Sequence, residues 1–270
     1  SIKLHARSKE FRGSLFPRMM DFPQDTVLAK TLSLELERGN SASRRRLETQ
    51  ILHFDGRIVR GYTYAWNDAQ TDADLVEPAG RERTLTVLDP SAPGGRREQV
   101  WHFPSRNDCL RCHNPWTEHK LAFNIPQLNR DHAYGSVTAN QIRTFRQMGL
   151  IEDIEEERNP DRPYDKLVPT RTADELPRLV DPFDEHADLE LRARSYLHVN
   201  CAHCHRHYGG GSTQLFLNYD LSLEETKAVG ARPTQGAFGI HDAKIIAPGD
   251  PYGSVFYFRL SSIGAGRMPR

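Results

Sequence analysis

The chain has 270 residues, and its 36 basic and 36 acidic side chains cancel; a balanced chain offers no electrostatic case for nucleic acid or an anionic membrane. Only 37% of residues are hydrophobic and the mean hydropathy is −0.66. No apolar run approaches the roughly 18 residues of a membrane-spanning helix, so no membrane span is expected, and a large prosthetic group would supply the apolar surface that so polar a chain lacks. Ser1 to Glu10 is polar and charged, unlike a secretory leader, so the sequence reads as a mature product or an excised piece.

Residues from about 26 to 102 read as β structure. Thr26 to Glu37 alternates and is rich in β-formers, and Gly39 with Asn40 makes a loop. Arg46 to Phe54 alternates again, Asp55 and Gly56 form a hairpin-turn dipeptide, and Ile58 to Trp66 follows. Thr84 to Leu88 is a further short strand before the turn-rich stretch from Pro90 to Gly95. Strands at this spacing predict an antiparallel sheet. The period then changes. Ser136 to Leu150 reads as a helix stopped by Gly149, and Asn159 to Thr170 is a Pro-rich, charged connector. Asp184 to Asn200 reads as an amphipathic helix with Leu189, Ala193, Tyr196 and Leu197 as its apolar stripe. The loop from Gly209 to Ser212 follows, and Pro251 to Ser262 is a last helix with Asp250 as its N-cap. Nothing repeats internally except one short motif.

That motif is C-x-x-C-H, at Cys109-Leu110-Arg111-Cys112-His113 and again at Cys201-Ala202-His203-Cys204-His205. The two copies use all four cysteines of the chain. C-x-x-C-H is the signature of covalent haem c attachment: two thiols reach the two vinyl groups of one porphyrin, and the adjacent histidine supplies the proximal iron ligand. His113 and His205 are therefore the candidate proximal ligands of two covalent haem c groups. A zinc site made from the four cysteines is the main alternative, and a redox dithiol is a further one. Zinc does not demand a histidine after each pair, and no βαβ unit surrounds either motif.

Met268, on a loop after the last expected helix, is the candidate sixth ligand of the second haem, and thioether ligation would raise that haem's potential. For the first haem the candidates are His102, His119, His132 and Met148, or an open position. His198, His203 and His207 flank the second motif and read as exposed or propionate-side residues. Arg106 and Arg111 are either propionate partners or solvated surface charges.

Several stretches carry a family resemblance. They are Gly61 to Asp72 (GYTYAWNDAQTD), Trp101 to His113 (WHFPSRNDCLRCH), Pro126 to Asp131 (PQLNRD) and Ala193 to His205 (ARSYLHVNCAHCH). Ala247 to Pro251 (APGDP) and Arg267 to Pro269 (RMP) complete the set. Together they resemble a bacterial family of diheme c-type cytochromes, common in planctomycetes and related bacteria. Its members are often fused to, or encoded beside, quinoprotein-type sugar dehydrogenase propellers. The resemblance runs from about Phe22 to the end and implies a periplasmic or otherwise extracytoplasmic location and an electron-transfer role. It departs at Asp25, where glycine is expected, in the first twenty residues, and at Arg270, where family members continue; the C-terminus therefore reads as truncated. A weaker similarity links the β region to the c-prime-beta and lysine-crosslinked haem cytochromes, whose haem is five-coordinate.

The expectation is an α+β protein. Residues 1–125 form an antiparallel β domain ending in the first haem site, 126–182 a helical and Pro-rich connector, and 183–270 a helical cytochrome c-like domain with the second. Such a protein passes electrons between an extracytoplasmic dehydrogenase or partner cytochrome and a downstream acceptor. It would be an electron carrier, or the electron-transfer module of an oxidoreductase whose catalytic domain is fused in the full-length protein. The rival expectations are a diheme peroxidase-like enzyme with an open first haem and a zinc-stabilised binding module.

Overall fold

The computed structural model describes residues 2–5, 20–117, 119, 121–154, 172–207, 209–264 and 266–268. The Pro-rich connector expected at 159–170 lies outside the described residues. The chain is α+β: antiparallel sheets with a few short helices. Among the described residues no helix is long and apolar enough to cross a membrane. The chain divides into two compact units, one of Phe22–Asn114 and one combining Ser1–Asp21 with Pro115–Arg270. The N-terminal strands β1 (Ile2–His5) and β2 (Met20–Asp21) belong to the second of these.

The first unit is built on the antiparallel order β3-β4-β5-β6: β3 (Thr26–Glu35), β4 (Arg44–Phe54), β5 (Val59–Trp66) and β6 (Ala73–Leu75). Asp55 makes the β4–β5 turn by accepting from the backbone N–H groups of Arg57 and Ile58 at 3.0 and 2.9 Å, and Gly56 supplies the required positive φ of 92°. Asp25, where the family resemblance expects glycine, adopts φ 64°. The position does call for a left-handed residue, and aspartate is one of the few that tolerate it.

A second hairpin pairs β7 (Arg81–Leu88) with β8 (Arg96–Phe103). β7 starts three residues before the expected strand, and β8 lacks a clean apolar alternation because its first three residues are exposed. Alternate residues of β5 are buried: Val59, Gly61, Thr63 and Ala65. Ala65 joins Val76 and Phe103 in a core cluster against which Trp101 packs. Helix α1 (Arg106–Cys112) closes the unit against β5.

In the second unit, α2 (Ile125–Leu128) leads to the hairpin β9 (Asp131–Tyr134) and β10 (Val137–Asn140), then α3 (Gln141–Gln147). The helix expected from Ser136 thus begins five residues late. Val137 and Thr138 pair across the Gly135 turn, and Asn140 caps the helix by accepting from Ile142 and Arg143 N–H. β11 (Ile151–Ile154) pairs parallel with β1.

Helix α4 (Leu189–Asn200) starts at its Asp188 cap, five residues after the expected start. Its expected apolar stripe is wrong: Leu189 is 72% exposed and Tyr196 45%, while Ser195 is 1% exposed. Ser195 holds the inner position because its Oγ accepts the Val180 N–H at 3.1 Å, satisfying a backbone donor that an apolar residue would leave unpaired. The core lies beyond α4, where Ala202, Leu215, Leu217, Ala228 and Ile245 cluster with Leu197, Cys201 and Phe256 packed against them. Helix α5 (Val255–Ser261) begins after Ser254, not at Pro251, because Asp250 spends its carboxylate on the Gly253 N–H in the preceding turn.

Candidate functional site

The two C-x-x-C-H motifs occupy different units but take the same local shape. In the first, α1 carries Cys109 and Cys112, and the His113 N–H donates to the Cys109 carbonyl at 2.9 Å. In the second, the chain leaves α4 at Cys201, and the His205 N–H donates to the Cys201 carbonyl at 2.8 Å. Each motif is therefore closed by an i to i+4 backbone hydrogen bond between its histidine and its first cysteine, within α1 in the first case and in the turn that follows α4 in the second. None of the four cysteines is in a disulfide, and all four are half-buried.

The first motif is anchored from both sides. Ser105 caps α1 in a reciprocal box with Asp108: the Asp108 N–H donates to Ser105 Oγ at 3.1 Å, and the Ser105 N–H donates to Asp108 Oδ2 at 3.0 Å. Below it, Gly61 of β5 leaves room for Cys109. A Cβ at position 61 would lie 2.7 Å from Cys109 Cβ and 2.8 Å from its Sγ. A glycine inside a strand marks such a close approach, and here the approaching group is the Cys109 side chain. Burial, followed by the Asp108 and Glu48 carboxylates, pushes the Cys109 thiol above its ordinary pKa. Burial also raises Cys112, against the pull of Arg111.

The second motif is wrapped by its own loop. The Gly211 N–H donates to the Cys204 carbonyl at 3.0 Å, and the Leu217 N–H donates to the His205 carbonyl at 2.8 Å. A Cβ on Gly211 would come within 3.0 Å of His205 Nδ1. That nitrogen is buried with no hydrogen-bond partner among the described residues. Burial, then the charges of Arg259 and His203, pushes the His205 pKa down, which favours the neutral imidazole that ligates metal. Cys201 is pushed up to about 11 by burial and by Cys204.

The residues present fit haem c. Each motif brings two thiols and an imidazole to one turn, with a glycine cradle under Cys109 and an orphaned ring nitrogen on His205. Among the described residues no group of three or more His, Cys, Asp or Glu side chains stands where it could hold a metal ion.

The remaining candidates are distributed between the units. Met268 donates its N–H to the Arg259 carbonyl at 2.9 Å, and Arg259 Nε donates to the Gly266 carbonyl at 2.9 Å. The segment bearing Met268 is thus folded back on α5 at the residue whose charge acts on His205.

Among the candidates for the first sixth position, His102 alone shares the unit of Cys109. It lies 3.5 Å from Glu82 and 3.4 Å from Asp108. His132 packs edge-on to Tyr134, Met148 is 64% exposed, and His119 sits at φ 62° in the other unit. The Arg106 guanidinium lies over the Tyr62 ring at 5.1 Å, and Arg111 pairs with Asp108 at 3.5 Å. His198 is not exposed: it is half-buried, its Nδ1 accepts the Tyr219 N–H at 3.1 Å, and burial lowers its pKa. His207 is exposed and stacks on Phe216 with centroids 3.8 Å apart.

Sequence reasoning passed over three residues. Gly61 and Gly211 carry a signal in retrospect, being glycines inside a strand and beside a ligand. Glu48 carries another: it stands at an inward position of an alternating strand, where an apolar residue belongs. Compared with known protein families, characterised proteins and solved structures, the chain matches none.

Proposed function

We propose that this chain is a diheme c-type cytochrome of the extracytoplasmic family it resembles, passing electrons between a dehydrogenase or partner cytochrome and a downstream acceptor. The observation that carries the reading is the shared turn. Two copies of C-x-x-C-H, in unlike surroundings, close with the same backbone hydrogen bond from the histidine to the first cysteine.

Bound haem c supplies one-electron chemistry at its iron. The chain's own residues do the rest. Cys109 with Cys112, and Cys201 with Cys204, provide the thioether anchors, and His113 and His205 the proximal nitrogens. Met268 closes the second site from the α5 side. Axial ligands, burial and neighbouring charge then set the potentials.

A second reading rests on the composition of the first unit. Phe22–Asn114 contains no methionine, and its two histidines outside the motif both face carboxylates: His53 with Asp25 at 3.2 Å, and His102 with Glu82 and Asp108. An open sixth position there would make the protein peroxidase-like, with the second haem feeding electrons to the first.

Visible spectra of the oxidised and reduced protein, with its intact mass, test both readings. Two covalent haems and no free thiol are expected. A colourless protein holding zinc would end the haem reading. Low-spin spectra at both sites, unmoved by carbon monoxide, would end the peroxidase-like one.

A further inference from the structure

Among the described residues Glu48, 1% exposed, is one of the most deeply buried side chains and the only acidic one among the largest that are fully buried. Its position follows from the sheet register. Glu48 faces Ala65 across β4–β5, Gln50 faces Thr63, and Leu52 faces Gly61. Residues two apart share a face, so Glu48 lies on the inward face of the sheet together with Gly61, the seat of Cys109. Two neutral donors satisfy its oxygens. Trp101 Nε1 donates to Oε2 at 3.0 Å, and Gln50 Nε2 donates to Oε1 at 2.6 Å. Among the described residues no arginine, lysine or histidine pairs with it. Lys30, across β3–β4 from Gln50, is exposed.

A carboxylate buried with neutral donors alone is costly. Natural cores keep such a charge when something in the same low-dielectric space balances it. Lys30 shares this face but is turned to solvent and does not pair with Glu48, whereas the Cys109 thiol is held on the same face, in the space above Gly61. The field of Glu48 already reaches that thiol.

We infer that Glu48 is the fixed counter-charge to a cationic centre held at the first C-x-x-C-H, and that it lowers the midpoint potential of that site. The inference rests on the haem reading above. Ferric haem carries one net positive charge at its centre and ferrous haem none, so a nearby buried carboxylate stabilises the oxidised form.

The test is potentiometric, on the haem-loaded protein. Glu48→Gln keeps the shape and one acceptor oxygen but removes the charge. Gln50→Lys keeps the carboxylate and neutralises it from 2.6 Å away. Both are expected to shift the midpoint potential of one haem upward and leave the other in place. In a Cys109→Ser, Cys112→Ser background, which lacks the first haem, Glu48→Gln should shift nothing. Two attached haems whose potentials stay fixed in both variants would overturn the inference while leaving the haem reading intact. So would equal shifts at both haems, which would mark a general perturbation. If Glu48→Gln fails to fold, Gln50→Lys decides alone. A parent protein without haem absorbance overturns both readings together.

Discussion

Gly61→Ala is the sharpest test of how the first site is built. Gly61 has no positive φ, so the substitution carries no backbone strain and should even stabilise a strand by about 0.5–1 kcal/mol through the unfolded chain. Its effect therefore isolates one contact. The added methyl would sit 2.7 Å from Cys109 Cβ and 2.8 Å from Sγ, with Leu52 Cδ2 at an ordinary 3.8 Å. Cys109 must retreat by roughly 0.7 Å to reach normal contact, and because its Cβ is fixed to the helix backbone, α1 has to lift from β5. Overpacking of this size costs about 1–3 kcal/mol, so the unit of Phe22–Asn114 should lose stability on balance. On the haem reading, the displaced thiol also attaches poorly. Intact mass should show a population lacking the first haem, with the second at full occupancy. Complete attachment of both haems, with unchanged stability, would refute the argument that the Gly61–Cys109 contact positions the thiol.

Three further outcomes are expected. His198 has a folded pKa below its ordinary value of 6.5 because it is buried. The unfolded chain therefore takes up the proton first as pH falls, and this contribution to stability is complete above about 6.5 and lost progressively below it. His198→Asn, which keeps an acceptor for the Tyr219 N–H, should flatten this part of the pH–stability curve between pH 7 and 5 in denaturant titrations; an unchanged slope would count against it. Ser105→Ala removes the N-cap of α1 and should cost about 1 kcal/mol, read as a lower midpoint of unfolding for the first unit. Met268→Ala should remove the thioether signature of the second haem and lower its potential; an unaltered reduced spectrum would exclude Met268 as a ligand.

The sheet of the first unit was legible because Asp55-Gly56, the alternation of β4 and β5, and the β-formers of β3 all agree on one period. The hairpin at Asp131 to Asn140 was not, since Ser136 to Gln147 has a cap-like start and a Gly149 stop that fit one longer helix. Only the cross-strand pairing of Val137 and Thr138 decides otherwise. The stripe of α4 misled for a related reason. Four apolar residues at helical spacing predict a buried face, yet Ser195 is the residue taken inside, because a backbone N–H from Val180 needs its oxygen. For the sites, the motif itself names the six donors. It says nothing of Gly61, Gly211 or Glu48, because their roles depend on what β5, the 209–211 loop and β4 bring alongside.

That division bears on function, because both motifs present the same donors in the same turn. Any difference between the two sites must come from their surroundings, and these are opposite in sign. The first site has a buried carboxylate, Glu48, in the core that seats Cys109. The second has a guanidinium, Arg259, close enough to His205 to disfavour its protonated form, and a methionine tied to that arginine's own carbonyl. Negative charge favours ferric iron, while positive charge and thioether ligation both favour ferrous. On the haem reading, these effects act together, so the first haem takes the lower potential and the second the higher.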